Sequence, residues 1–262
     1  MIYFASDMHF GAYYHENALE VERKFLRWLK QIERDATHLI LVGDIFDYWF
    51  EYKYVAPRGY TRVIGKLADM ADNGIEIHLF TGNHDIWIFD YLPKEIGCHI
   101  HREPTTLNLL GKSFFIAHGD EFVRDDQGFK FIRAVFHNRF CQKLYSGLHP
   151  WFTVGFAHRW AYRSRKKGLK NEAYYEYRGE DKEYLVQYAK GYIKEHPSMA
   201  PDFFIFGHRH IMLDLMLSRQ TRVVILGDWI HHFSYAQWDG EQFALNTFGL
   251  PTYDDLSMPI TQ

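Results

Sequence analysis

Four apolar runs in this chain each lead straight into a residue able to hold a cation, and that pairing restricts the fold more than any other feature. Ile2-Tyr3-Phe4-Ala5 leads to Ser6-Asp7, and His38-Leu39-Ile40-Leu41-Val42 leads to Gly43-Asp44. Residues 75–80 lead to Thr81-Gly82-Asn83, and Ser113-Phe114-Phe115-Ile116-Ala117 leads to His118. Short, nearly continuous apolar runs suit strands buried on both faces. Between the first two lies an amphipathic stretch, about Asn17 to Arg34, with Phe25, Trp28, Leu29 and Ile32 at helical spacing. A second helix is expected from about Thr61 to Asp72, stopped by Asn73-Gly74. Strand–helix–strand alternation gives an α/β sheet, and in open α/β sheets ligands gather beyond the carboxyl ends of the strands. Asp7, Asp44, Asn83 and His118 fall there.

Downstream, residues 203–206, 211–217, 222–227, 232–238 and 242–247 read as successive strands joined by short turns such as Asp239-Gly240. They predict a second, mostly antiparallel sheet packed on the first. Residues 125–197 show no strand pattern. Phe129, Ile132, Val135 and Phe136 repeat at helical spacing, as do Tyr184, Leu185, Tyr188, Tyr192 and Ile193. This segment reads as a helical insertion capping the site.

Five short motifs recur in order: Asp7-Met8-His9, Gly43-Asp44-Ile45-Phe46-Asp47, Gly82-Asn83-His84-Asp85, His118-Gly119-Asp120 and Gly207-His208-Arg209-His210. Each alone is a weak signal; the ordered set is a ligand supply for two divalent metals. Two metals neutralise the anionic oxygens that protect a phosphate ester, lower the pKa of a shared water and stabilise the leaving oxygen. Such a pair needs one bridging carboxylate. Asp44 is the natural bridge, because Gly43 lets the chain approach closely. Asp7 and His9, two apart, are expected on one side of an extended segment where they can share an ion, and His208 and His210 have the same relation. Carboxylate, amide and imidazole donors without thiolates suit Mn²⁺, Fe²⁺ or Zn²⁺ better than Ca²⁺. The other histidines, among them His38, His78, His99 and His101, read as surface or core residues, and His231-His232 as structural.

These motifs resemble those of the calcineurin-like metallophosphoesterases. The resemblance implies a four-layer αββα sandwich with a helical cap, the core being 1–124 and 198–262 and the cap 125–197. It implies one metal held by Asp7, His9, Asp44 and His210, and a second by Asp44, Asn83, His118 and His208, with Mn²⁺ the foremost candidate. His84 matches the family's non-ligand histidine, which contacts the phosphate or protonates the leaving group. Asp85 is then expected to orient His84. Asp47 and Asp120 are expected to brace ligands from behind.

Within that superfamily, Gly43 to Phe50 and His118 to Asp126 resemble the UDP-2,3-diacylglucosamine pyrophosphatase family of lipid A synthesis. This implies hydroxide attack on the α-phosphorus, with UMP and 2,3-diacylglucosamine 1-phosphate as products, and substrate contacts at Asp126, Arg163, Ser164 and Lys167. The chain departs from the usual Gly-Asn-Arg-Asp of that family by having His84 at the third position. The cap also carries a basic run, Arg159, Arg163, Arg165, Lys166, Lys167 and Lys170, and many aromatic residues. That composition fits a lipid-nucleotide substrate and a peripheral site on an anionic membrane surface. The net charge of −3 gives no general attraction to nucleic acid. Cys98 and Cys141 form no disulfide pattern, which fits a reducing cytoplasm, and no run approaches a membrane span, so any membrane contact is expected to be peripheral; the resemblance then implies the cytoplasmic face of the inner membrane. The competing enzyme reading is a soluble metallophosphoesterase for another nucleotide pyrophosphate, phosphodiester or phosphomonoester. A scaffold without catalysis would show broken ligand motifs, and these are intact.

Overall fold

The computed structural model describes residues 1–12, 18–123, 127–157, 159 and 176–249. In the first half, β1 (Ile2–Ala5), β2 (His38–Val42) and β3 (Glu76–Phe80) run parallel, with α1 (Ala18–Ile32) and α2 (Thr61–Asp72) lying between them in sequence. A short helix, α3 (Tyr91–Ile96), precedes β4 (His99–His101), which pairs parallel to β3. β5 (Thr105–Leu109) and β6 (Lys112–Ala117) form a hairpin. After the insertion come β7 (Phe203–Phe206), β8 (Met212–Met216), β9 (Arg222–Leu226), β10 (Ser234–Trp238) and β11 (Phe243–Thr247). The two sheets have the orders β11-β10-β1-β2-β3-β4 and β5-β6-β7-β9-β8.

Side-chain parity along the central strands builds the layers. Tyr3, Ala5, Leu39, Leu41, Ile77 and Leu79 face α1 and α2, against Phe25, Trp28, Leu29, Val63 and Leu67. Their neighbours Ile2, Phe4, Ile40, Val42 and Phe80 point the other way, into a second core with Phe114, Ile116, Phe203, Ile205, Val224 and Leu226. On the far side of the second sheet, Phe115, Ala117, Phe204, Phe206, Val223 and Ile225 meet Leu185, Val186 and Ala189 of α7 (Tyr184–Glu195). The result is helix, sheet, sheet, helix. Both faces of each central strand are buried, which is why those runs lack polar alternation.

Two expectations are corrected. The second sheet is not mostly antiparallel: β6, β7 and β9 are mutually parallel, and only the edge pairs β5–β6 and β8–β9 are antiparallel. β10 and β11 leave it altogether and extend the first sheet, with Ile2 opposite Trp238 and Phe4 opposite Ala236. A period of two identifies a buried face but not which sheet edge the strand will join. The second correction is that α7, placed in the cap by sequence, is the outer layer of the core.

The rest of the insertion is helical where it is described: α4 (Gln127–His137), α5 (Arg139–Ser146) and α6 (150–157). It docks over Tyr48, Phe50, Ile86 and Trp87, which pack against Phe136, Tyr145, Val154 and Ala157. Trp87 Nε1 donates to the Phe136 carbonyl at 2.9 Å, and the Tyr48 and Tyr145 hydroxyls bond at 3.0 Å. Arg133 Nε donates to Asp120 Oδ2 at 2.7 Å, tying α4 to the loop after β6.

Candidate metal centre

Each chemistry-bearing loop begins where a strand ends. Asp7 follows β1, Asp44 follows β2, Asn83 follows β3, His118 follows β6, and His208 and His210 follow β7. The loops of the two sheets are stitched together by backbone bonds. Asp7 N donates to Gly43 O at 3.1 Å, His9 N to Asp44 O at 2.9 Å, Gly207 N to His118 O at 3.0 Å and Trp229 N to Asp7 O at 3.1 Å.

Asp7, His9, Asp44, His208 and His210 have φ of 56°, 45°, 49°, 65° and 50°. They are five of the eight non-glycine residues with positive φ among those described. Such left-handed residues are uncommon and concentrate at functional sites. Asp7 and His9 therefore do not converge by lying on one side of an extended segment, as their spacing predicted; left-handed turns aim them. His208 and His210 do not share one cluster, since the turn sends them apart: His210 joins Asp7 and His9, and His208 joins Asp44 and His118.

His9 Nε2 lies 3.6 Å from Asp7 Oδ1 and 3.5 Å from Asp44 Oδ2. His118 Nε2 lies 3.4 Å from Asp44 Oδ2, and His210 Nε2 lies 3.4 Å from Asp7 Oδ1. Two ligands each about 2.1 Å from one ion stand roughly 3.0–4.2 Å apart, depending on the angle between them. The observed gaps lie inside that range and are too long for hydrogen bonds. Asp7 Oδ1, Asn83 Oδ1 and His118 Nε2 are buried with no hydrogen-bond partner. Buried acceptors left in that way call for a cation.

The ring nitrogens pointing away from the centre are held. His118 Nδ1 donates to the Val42 carbonyl at 2.9 Å, which leaves the Nε2 lone pair for the centre. His210 Nδ1 lies 3.1 Å from Asp228 Oδ2, the carboxylate–imidazole pairing that orients metal-bound histidines. His84 Nδ1 donates to the Asp47 carbonyl at 2.8 Å, turning its Nε2 outward. His84 also lies with His9 and Asp44 in a third potential ligand group.

Charge in the cluster is mutually compensating. Burial would raise the Asp44 carboxyl, but His118, His84 and His9 hold it well below the usual carboxylate range. The Asp7 carboxyl is likewise lowered, against its own burial, by His210, His9 and His118. Burial and the nearby His118 push His208 down to about 4, keeping its imidazole neutral and able to donate a lone pair. Two glycines make the approach possible. A Cβ on Gly43 would fall 2.4 Å from His118 Nδ1, and one on Gly82 would fall 2.2 Å from Asp44 Oδ1.

Asp85 does not orient His84. Its Oδ2 accepts from Ile45 N at 2.8 Å and its Oδ1 from Gly82 N at 2.7 Å, so it clamps the loops that carry Asp44 and Asn83. Burial and the neighbouring Asp44 push this carboxyl up to about 7. Asp126, Arg163, Ser164 and Lys167 lie outside the described residues. Asp47 Oδ1 stands 3.6 Å from His9 Nδ1 and 3.7 Å from His84 Nδ1, and Asp120 is buried against Arg133. Asp228 was not singled out by sequence reasoning. The signal was present: Gly227-Asp228 follows the apolar run of β9 just as Gly43-Asp44 follows β2.

Beside the cluster lies a cavity of about 210 Å³, reaching Asn83 and His84 at one end and walled by Trp87, Phe129, Ile132 and Phe136. Residues 1–212 match the family described as calcineurin-like phosphoesterase. The chain is 44% identical, over 94% of its length and 97% of the relative's, to a UDP-2,3-diacylglucosamine hydrolase of Porphyromonas gingivalis. It is 26% identical, over 95% and 99% respectively, to a protein of the same name from Ectopseudomonas mendocina. A third relative so named, from Haemophilus influenzae, is 23% identical over 88% of this chain and 92% of its own.

Proposed function

The chain belongs to the calcineurin-like phosphoesterase family, and we propose that it is a metal-dependent hydrolase that cleaves the pyrophosphate of UDP-2,3-diacylglucosamine to UMP and 2,3-diacylglucosamine 1-phosphate. The observation that carries this reading is an adjacency. A polar ligand cluster opens through Asn83 and His84 into a cavity whose walls are aromatic and aliphatic. A substrate with a diphosphate at one end and acyl chains at the other needs both environments within its own length.

Asp7, His9, Asp44 and His210 would hold one divalent ion, and Asp44, Asn83, His118 and His208 the other. Asp44 belongs to two of the three potential ligand groups, which supports it as the bridge. The hard-to-borderline donor set suits Mn²⁺. Bound there, the ions supply positive charge for the phosphate oxygens and a water of lowered pKa. His84 carries the protein's own share of the chemistry. With Nδ1 committed to the Asp47 carbonyl, its Nε2 is the atom that can hold a proton for a phosphate or leaving oxygen. Asp85 keeps the two loops in register. Asp126, Arg163, Ser164 and Lys167 are proposed substrate contacts by resemblance.

The outer face of the cap supports a peripheral membrane site. Phe131, Phe140, Leu144, Leu148, Trp151 and Phe152 are 56–73% exposed on α4 to α6 and the turns joining them. Arg139, Lys143 and Arg159 accompany them in sequence. No described helix is long and apolar enough to cross a membrane. A basic, aromatic surface of this kind can rest on an anionic leaflet, where a diacylated substrate resides.

The test is turnover by Mn²⁺-loaded protein of UDP-2,3-diacylglucosamine and of UDP-glucose, with products identified by mass spectrometry. Release of UMP from the acylated substrate alone is expected. Equal cleavage of both, or of neither, would overturn the substrate assignment.

A further inference from the structure

We propose that Glu183 and Tyr184, at the amino end of α7, are positioning residues for the ligand group Asp44, His118 and His208. This role rests on the two-metal reading above and adds to it an element from the outer face of the second sheet.

The segment Gly207-His208-Arg209-His210 sets an arginine between two ligand histidines. His208 and His210 are left-handed, with φ of 65° and 50°, and Arg209 N donates to Gly207 O at 2.7 Å. In so tight a turn, the anchoring of the middle side chain fixes how the flanking residues are presented. Arg209 Nε donates to both carboxylate oxygens of Glu183, each at 3.1 Å. Glu183 is 2% exposed and Arg209 9%. Buried ion pairs add little net stability over apolar residues of the same volume, but moving one partner strands a charge away from water. The pair therefore contributes one enforced geometry. Glu183 immediately precedes α7, yet its side chain makes no capping bond to that helix. A side-chain oxygen at this position commonly satisfies the helix's own N–H groups. Here both oxygens go to Arg209 instead.

The next two residues reach the other ligand loop. Tyr184 Oη donates to the carbonyl of Gly119, the residue after His118, at 3.3 Å. Leu185 packs over the same glycine: a Cβ on Gly119 would lie 3.1 Å from Leu185 Cδ2 and 3.6 Å from His208 Cβ. The two loops also meet each other, with Gly207 N donating to His118 O at 3.0 Å and the His118 and His208 rings edge to face at 5.1 Å. Residues 183–185 thus touch both loops that converge on Asp44. They are firmly based, because Leu185, Val186 and Ala189 are buried against Phe204 and Phe206. Ligands supported from a packed helix are held more precisely than ligands on loops alone. The Asp7, His9 and His210 group has supports of its own: Asp228 on His210 Nδ1, and bonds of the Asp7 backbone to Gly43 and Trp229. Loss of the α7 contacts therefore falls first on the ion that Asp44, Asn83, His118 and His208 would hold.

The test replaces both members of the pair, Glu183→Met with Arg209→Met. This removes the two charges together and nearly keeps the volume, a change that buried pairs often tolerate without loss of stability. Tyr184→Phe, which removes one hydroxyl, is the second variant, and melting temperatures check the fold of each. Mn²⁺ binding is followed by equilibrium dialysis, and electron paramagnetic resonance distinguishes an isolated Mn²⁺ from a coupled pair. The parent is expected to bind two ions. In the double variant one ion should weaken about 10–100-fold while the other keeps its parent affinity. The coupled-pair spectrum should then give way to that of an isolated ion at Mn²⁺ concentrations that saturate the parent. Tyr184→Phe should weaken the same ion about 3-fold. Parent affinity for both ions in the folded double variant, or in Tyr184→Phe, would overturn the positioning role alone. So would equal weakening of both ions, the mark of a general loosening. A parent that binds fewer than two ions would overturn the two-metal reading and this role with it. No substrate enters the assay, so the outcome does not depend on which phosphoester the enzyme cleaves.

Discussion

Replacing Gly82 with alanine tests whether the position of Asp44 governs turnover. Gly82 has no left-handed backbone requirement, so the change is one of volume alone. The added Cβ falls 2.2 Å from Asp44 Oδ1 and 2.5 Å from Asp44 N, where ordinary contact starts at 3.4 Å. The overlap is about 1 Å, and forcing a methyl group into a packed site costs about 1–3 kcal/mol of stability. Neither side can yield cheaply. Asp44 Oδ1 accepts from His84 N at 2.9 Å, and Gly82 N is held by Asp85 at 2.7 Å. The carboxylate that belongs to two ligand groups must then shift. A misplacement of about 1 Å costs on the order of 100-fold in rate. The assay is kcat on UDP-2,3-diacylglucosamine at saturating Mn²⁺, with bound metal and melting temperature measured on the same preparation. Gly65→Ala is the control, since its Cβ meets nothing within 4 Å and the residue sits at an exposed position of α2. That change is expected to stabilise by about 0.5–1 kcal/mol and leave kcat alone. A folded Gly82→Ala protein with kcat within about threefold of the parent would refute the argument that Asp44 is sterically fixed.

Asp228→Asn keeps an oxygen for the backbone N–H groups of Ile230, His231 and His232 but turns an amide N–H₂ toward His210 Nδ1, so metal affinity or turnover should fall about 10–100-fold; calorimetric titration with Mn²⁺ reads the loss, and unchanged affinity would remove the orienting role. Asp202 brackets the amino ends of β6 and β7, its burial outweighed by bonds from Lys112 and Ser113 that hold the carboxyl below its usual range. A depressed carboxyl contributes stability above its unfolded pKa and loses it as pH falls. Asp202→Ala should therefore cost about 1–2 kcal/mol at pH 7. That gap should close below about pH 4 in urea titrations, and a gap that widens on acidification would contradict the sign. Trp151→Ser with Phe152→Ser, at 73% and 66% exposure, should reduce sedimentation with phosphatidylglycerol vesicles while leaving hydrolysis of detergent-dispersed substrate unchanged; equal sedimentation would move membrane contact elsewhere.

What the sequence disclosed, and what it withheld, follows from local and non-local physics. β1, β2, β3, β6 and β7 were legible because a strand buried on both faces must be apolar throughout. α1 and α2 were legible from periodicity. β4 and β5 were missed: His99-Ile100-His101 is short and polar, and Thr105 to Leu109 is only half-buried. For α7 the helical spacing was seen but its partner was not, since Leu185 reads alike under a cap or against Phe206. The loops that gather into the potential ligand groups were visible as motifs, yet the direction of each side chain was not. Spacing of two suggested an extended segment, and adjacency suggested that Asp85 serves His84. Backbone torsions and a contact forty residues away, to Ile45 N, decide those points.

The left-handed residues explain why the site needs two sheets. Each such residue costs on the order of 1–3 kcal/mol unless its surroundings over-determine it. Five together would rival the roughly 5–15 kcal/mol net stability of a whole domain. The offset is visible in the loops. Asp7 receives a bond from His208 N at 2.9 Å, Asp44 from His84 N at 2.9 Å, and the Asp7 carbonyl from Trp229 N at 3.1 Å. The first and third join loops from both sheets, so the first sheet alone could not hold the Asp7 turn, while the second ties two loops of the first sheet together. The choice of residue helps as well. Asp and His are among the non-glycine types that enter the left-handed region most readily. The side chains suited to binding a borderline dication are thus also among those that can occupy these turns at least cost, and one residue choice at each strand end meets both demands.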